Sequence, residues 1–236
     1  MLHCILASTS TVYGYPFLSY LFPEIEKLFR ANSEIIFVPF AQPGGISYDD
    51  YTAKVVEAMA TLNIKVRGLH EYDSPIEAIS KAEGIFVGGG NTFVLLKTIY
   101  ELGLIQPIKK ALKNGVPYLG TSAGTNICGP TICTTNDMPI VYPPSFESIG
   151  VVPFQINPHF IDAQESSTHM GETRETRIAE YLHHNSTPVL GLREGSFIEI
   201  KGDFINLCGP LSAPLFRAGC LKEELPTGSN LALVGK

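Results

Sequence analysis

Gly120-Thr121-Ser122-Ala123-Gly124 fits G-x-S-x-G, the spacing of a nucleophile elbow. A serine can attack a carbonyl from such a turn because the backbone bends sharply and pushes the hydroxyl outward. Small neighbours are needed there, since bulky side chains would collide. The motif follows an apolar strand-like run, VPYLG (116–120), and precedes a plausible helix start in AGTNIC. The amides that open that helix favour developing negative charge, so the N–H of Ala123 is a candidate oxyanion donor. The chemistry that fits these residues is acyl transfer through a serine ester.

A second glycine turn, Gly88-Gly89-Gly90-Asn91-Thr92, also ends a strand-like run and opens a helical one. Ligands bind at that edge of open α/β sheets. Gly89, Gly90 and Asn91 are therefore candidates for the substrate side and for a second oxyanion donor. Read as a phosphate loop, GGGNTF fits neither G-x-G-x-x-G nor the P-loop pattern, and no lysine follows in the P-loop position.

A serine hydroxyl is a weak nucleophile at neutral pH and needs a base. Six histidines are available. His3 sits in the first strand, His70 ends a strand, and His183 and His184 close a charged helix where a cation is favoured anyway. His169 lies in a polar loop. His159 follows an apolar run in QINPHF, at a strand end, with Pro158 stiffening its backbone, and is preferred to His169. The base in turn needs a carboxylate to fix its tautomer. Glu194, after PVLGL, and Asp137, in TTNDMP, both sit in suitable places.

These residues must be positioned by a scaffold, and the chain alternates strand-like and helical patterns through most of its length. Strands are predicted over 2–7, 35–40, 64–69, 84–90, 116–120 and 151–156. Helices are predicted over 22–29, 50–62, 74–80, 92–102, 105–113 and 172–184. Ser74 followed by Pro75 is a good helix start. Unalternated apolar strands in a βαβα rhythm indicate a parallel sheet covered on both faces. Short strands at 188–192, 196–200, 203–208 and 214–219, with a tight turn at KGD (201–203), predict an antiparallel finish. The expected fold is thus α/β, three-layer and mostly parallel, with helices on both faces and antiparallel strands near the C-terminus, in one domain over 1–236.

The composition fits a globular chain: 236 residues, 44% hydrophobic, 17% charged, net charge −6. Nucleic-acid binding would need a basic stripe, and none stands out. No apolar stretch of about 18 residues predicts a membrane span. Cys4, Cys128, Cys133, Cys208 and Cys220 are scattered and lack metal-site spacing, so they read as packed, reduced thiols of a cytoplasmic protein.

The combination GGGNTF, G-x-SAG, TTNDMPIV, QINPHF, GETRE and a Glu-Gly after a late strand resembles the peptidase E, or α-aspartyl dipeptidase, family of serine peptidases, family S51. The motifs fall in the family order and span most of the chain. The resemblance implies a sheet of the class I glutamine amidotransferase type and metal-free, cofactor-free hydrolysis of small Asp-X dipeptides, with Ser122 as nucleophile and His159 as base. The order Ser, His, Glu makes Glu194 the expected partner of His159 and leaves Asp137 to bind the substrate's α-amino group. Arg174 in GETRE is the candidate for the aspartate side chain, because a guanidinium matches a carboxylate in a bidentate fork. Its competing reading is a solvated helix residue. The sequence departs from the family pattern at Thr121, where Trp is usual and which is expected at the pocket rim, and at Arg193, where Pro is usual. Rival readings are a cyanophycinase-like exopeptidase acting on β-aspartyl links and a non-catalytic binder of small acidic ligands.

Overall fold

A computed structural model describes residues 1–31, 33–163 and 171–235. Five short strands form the parallel part of the main sheet: β1 (His3–Ala7), β2 (Glu34–Val38), β3 (Lys65–Gly68), β4 (Ile85–Val87) and β5 (Tyr118–Thr121). β8 (Phe197–Lys201) and β9 (Phe204–Cys208) extend it antiparallel, giving the order β3-β2-β4-β5-β1-β8-β9.

Both faces of this sheet are buried. Along β1, Cys4 and Leu6 point into one core while Ile5 and Ala7 point into the other. The first core is closed by α3 (Pro75–Ser80), α4 (Thr92–Glu101) and α5 (Ile105–Lys113), the second by α1 (Phe22–Leu28) and α2 (Tyr48–Ala60). This period-2 split explains the unbroken apolar runs, since neither side of the strand meets water. The helix starts follow local chemistry. Ser47 caps α2, and Ser74 caps α3 ahead of Pro75.

The later chain departs from the sequence expectation in three places. A second sheet forms, β11-β10-β7-β6, from β6 (Gln155–Pro158), β7 (Val189–Leu192), β10 (Ala213–Phe216) and β11 (Glu223–Leu225). Its β6 and β7 run parallel, with Pro158 opposite Leu192. The apolar run 151–154 is not strand. Val151 and Val152 both donate to Cys128 O, and Pro153 has no N–H to offer a ladder, so Val152 and Phe154 are buried from a loop. β11 has the sequence EEL, which carries no strand signal, and forms by antiparallel pairing with β10.

Only Arg193-Glu194-Gly195-Ser196 separates β7 from β8, so the chain crosses from the second sheet to the main one in four residues. Gly195, at φ +89°, makes the bend, and Ser8 N donates to Ser196 O beside the end of β1. Helix α7 (Arg174–His184) is capped by Thr173 and lies beside the second sheet, with Ile178 packed among Phe160, Val189 and Phe216. No helix among the described residues is long and apolar enough to cross a membrane.

Candidate active site

The parallel strands deliver their C-terminal ends to one edge of the sheet. Ala7 pairs with Thr121 and Val87 with Gly120, so Ser8, Gly88 and Ser122 emerge side by side. Ser122 has φ +53° and ψ −110°, a region that ordinary residues avoid. It is held there by its own N–H donating to Ala7 O, by Thr125 Oγ1 donating to the same carbonyl, and by Tyr118 OH donating to Gly124 O. Gly124 packs directly on β4, where a Cβ would stand 2.2 Å from Val87 O. The helix that follows, α6 (Ala123–Asn126), has only four residues. Its orphan amides, rather than a long-helix dipole, are what it offers the site.

His159 and Glu194 arrive on the parallel pair β6 and β7. Pro158, with no N–H, sits on the edge strand, where it costs no ladder bond. The next residue, His159, has φ +53°, and the turn swings its ring back over Ser122. His159 Nε2 lies 2.8 Å from Ser122 Oγ, and its Nδ1 lies 2.6 Å from Glu194 Oε1. With Nδ1 donating to the carboxylate, Nε2 is left as an acceptor for the serine proton. The His159–Glu194 pair is largely solvent-exposed, so its value lies in orientation more than stability.

The two carboxylates separate cleanly. Asp137 does not meet His159. Its Oδ2 accepts from Thr92 N at the start of α4 and from Thr135 Oγ1. Arg174, half-buried at the first position of α7, lies within electrostatic reach of Asp137; its pKa is lowered by burial and by Arg177, with Asp137 opposing. His169 falls outside the described residues.

The glycine turn works differently from expectation. Gly89 N–H donates to the buried Tyr51 OH at 3.0 Å and is not free for an oxyanion. Burial pushes the Tyr51 phenol up to about 12, so it stays neutral. Gln42 Nε2 donates to Gly89 O at 2.9 Å and so orients the next peptide, the one that carries Gly90 N–H. Asn91 is also committed to structure. Its Oδ1 accepts from Phe93 N and Val94 N as the cap of α4, and its Nδ2 donates to Met138 O. Among the described residues, the N–H groups of Gly90 and Ala123 have no protein acceptor; Ala123 follows Ser122 in the chain, and Gly90 lines the same cavity as Ser122. Gly90 needs its φ of +141°, and a Cβ there would strike Ala41 O at 2.2 Å.

Ser122, His159, Gly89 and Gly90 line an open cavity of about 330 Å³, together with Gln42, Tyr51 and Lys54. Larger hollows, of about 520 and 690 Å³, lie near Arg30 and Lys81. The first contains His3 and Ser33, but His3 Nε2 and Ser33 Oγ have no hydrogen-bond partner among the described residues. Thr121 is not at the rim; it is fully buried on β5.

Three positions escaped the sequence reading. Ser8, Gln42 and Tyr51 orient the working groups from strand, loop and helix positions that belong to no chemical motif. Arg193 acquires a role as well. It forks onto both oxygens of Asp162 at 2.7 Å and reaches Glu224 and Ser212 O, tying the chain beyond His159 to the residue before Glu194. Of the five thiols, Cys4 and Cys128 are buried as expected, whereas Cys133 and Cys220 are exposed; all five are free.

Comparison with known proteins gives the family. Peptidase family S51 matches residues 4–208. The chain is 47% identical over 231 residues to peptidase E of Streptomyces coelicolor, covering 98% of this chain and 94% of that protein. It is 42% identical over 233 residues to a Drosophila melanogaster protein named probable alpha-aspartyl dipeptidase, covering 98% and 96%. Among solved structures, a peptidase from an acI-B1 actinobacterium superposes with a TM-score of 0.73 at 16% identity, over 98% of this chain and 96% of that one, a likeness of fold. A serine elbow, a histidine in reach of it and a match that runs nearly end to end place this chain in peptidase family S51.

Proposed function

We propose that this protein is a serine-type dipeptidase that hydrolyses Asp-X dipeptides with an N-terminal aspartate through an acyl-enzyme. The observation that carries the reading is the unbroken hydrogen-bonded line from Ser122 Oγ to His159 Nε2 and from His159 Nδ1 to Glu194. The names of the relatives support the substrate class.

In this mechanism Ser122 Oγ attacks the scissile carbonyl carbon as its proton passes to His159 Nε2. Glu194 holds the ring in the required tautomer and stabilises the imidazolium. The carbonyl oxygen becomes an oxyanion between the N–H groups of Gly90 and Ala123. Collapse of the tetrahedral adduct breaks the C–N bond, and His159 returns its proton to the leaving amine. Water, deprotonated by the same imidazole, then releases aspartate and regenerates Ser122. Asp137 and Arg174 offer an anion and a cation close together, which suits the α-amino and side-chain carboxylate groups of an N-terminal aspartate. Free thiols buried at Cys4 and Cys128 support a reducing, cytoplasmic setting.

The test compares wild type with Ser122→Ala. Wild type cleaves Asp-Leu in preference to β-Asp-Arg and is labelled by a serine-directed phosphonate. The variant folds, resists labelling and loses activity by about 10⁴-fold or more. Full Asp-Leu hydrolysis in the variant removes the mechanism, and preference for the β-linked substrate removes the specificity.

A further inference from the structure

The cavity beside Ser122 contains a charge that the proposed chemistry has not used. Lys54, on α2, lines it together with His159, and no other lysine or arginine does among the described residues. No Asp or Glu lines the cavity either. Lys54 forms no ion pair with a carboxylate among the described residues, as is also true of Lys65, Lys109, Lys110 and Lys113, but of these lysines it is the one that lines this cavity. Its ammonium is held over the ring of Phe17, 4.3 Å from the centroid, and Phe17 lines the same cavity. The result is a positioned cation facing a cleft with no anion in it.

The side of the site on which this cleft lies follows from the histidine. The imidazole that protonates the leaving amine must be next to it, so the leaving residue occupies the space that His159 borders. His159 borders the Lys54 cavity. Asp137 and Arg174 are not among its lining residues. The charges therefore sort by substrate half. The acyl half of an aspartyl dipeptide carries one amino group and one carboxylate, and Asp137 and Arg174, within electrostatic reach of each other, match it. The leaving half carries a single carboxylate, the free C-terminus, and the single Lys54 matches that.

We propose that Lys54 binds the C-terminal carboxylate of the leaving residue and is the group that restricts the enzyme to dipeptides. The inference rests on the aspartyl-dipeptidase reading given above. A longer peptide or a C-terminal amide would place a neutral group against Lys54 and forfeit the charge-assisted bond. Gln42, at the same cavity, is neutral and spends one Nε2 hydrogen on Gly89 O, so it supplies no charge in place of Lys54.

The experiment measures kcat/KM for Asp-Leu and for Asp-Leu amide with wild type, Lys54→Met and Lys54→Arg. A hydrogen bond to a charged group sets the scale, so wild type should favour the free acid by about 30-fold. In Lys54→Met the preference should shrink to within about threefold, through a raised KM for the free acid, and Lys54→Arg should restore most of it. An unchanged ratio in Lys54→Met, or a wild type indifferent to the amide, overturns the assignment of Lys54 while leaving the dipeptidase reading intact. If wild type cleaves neither substrate yet phosphonate still labels Ser122, the aspartyl-dipeptide reading fails and this inference falls with it.

Discussion

The backbone N–H of His159 donates to Ser8 Oγ at 2.9 Å, and the same hydroxyl donates to Leu192 O at 2.7 Å. One fully buried serine at the end of β1 thus fixes both the turn that carries the base and the strand that leads to Glu194. Ser8→Ala removes the acceptor of the part-buried His159 amide, while Leu192 O keeps the bond from Phe160 N–H. It should cost about 1–3 kcal/mol of stability in chemical denaturation. It should also lower kcat more than it raises KM, because the imidazole is displaced while the cleft remains.

Glu194 and Asp137 should respond differently to loss of charge. Glu194→Gln removes the carboxylate from His159 Nδ1 and can present a donor to it. An expected fall in kcat of roughly 10²- to 10⁴-fold follows from the wrong tautomer. Asp137→Asn removes the negative charge at the first turn of α4, although its Oδ1 can still accept from Thr92 N–H, and should act mainly on KM, with a loss of stability of about 1 kcal/mol. Steady-state kinetics on Asp-Leu separate the two, and a kcat collapse confined to Asp137→Asn would reverse the assignment.

Tyr51→Phe tests the glycine turn. It deletes the acceptor of Gly89 N–H, in a buried setting, without changing ring packing against Phe37. The freed Gly88–Gly89 peptide can rotate, and the adjoining peptide that carries Gly90 N–H is then held through Gly89 O by Gln42 alone. One misplaced oxyanion donor costs about 10²- to 10³-fold in kcat when lost outright, so a partial loss of about tenfold or more is expected, with KM little affected.

The Arg193 cluster sets an acid limit. Asp162 and Glu224 are both held below their ordinary values of 3.8 and 4.5, in each case chiefly by hydrogen bonds from Arg193. Depressed carboxylate pKa values give stability that is complete above the unfolded-state values and is lost as pH falls through the folded ones. Wild-type Tm should therefore drop on going from about pH 5 towards pH 3. Arg193→Met should have a lower Tm at pH 7 and a shallower decline over that interval, read by thermal melts at a series of pH values. Equal slopes would show that the cluster contributes nothing to acid sensitivity.

Ser122, His159 and the parallel sheet were legible in the sequence for different reasons. The elbow is a local pattern, because its glycines answer to contacts within a strand and a turn. The βαβα rhythm is readable because strands buried on both faces cannot alternate. The second sheet was not readable, since Pro158 meeting Leu192 and EEL meeting Ala213–Leu215 are pairings between distant segments whose own patterns do not specify a partner. Asn91 and Gly89 were read as substrate-facing because an exposed glycine turn and a helix cap share one composition. Only the positions of Tyr51 and Met138 reveal that their polar groups are already occupied. Ser8 and Lys54 belong to no motif, and their importance comes entirely from which strand end and helix face the fold sets beside the cleft.

Ser122, the proposed nucleophile, rides on one sheet while His159, its proposed base, rides on the other, joined near the cleft by a four-residue crossover. Reactivity in this protein is consequently a gauge of how firmly the two sheets are docked. A variant can keep every helix and strand, give an unaltered far-ultraviolet spectrum, and still be chemically silent because the smaller sheet has slid by little more than a bond length.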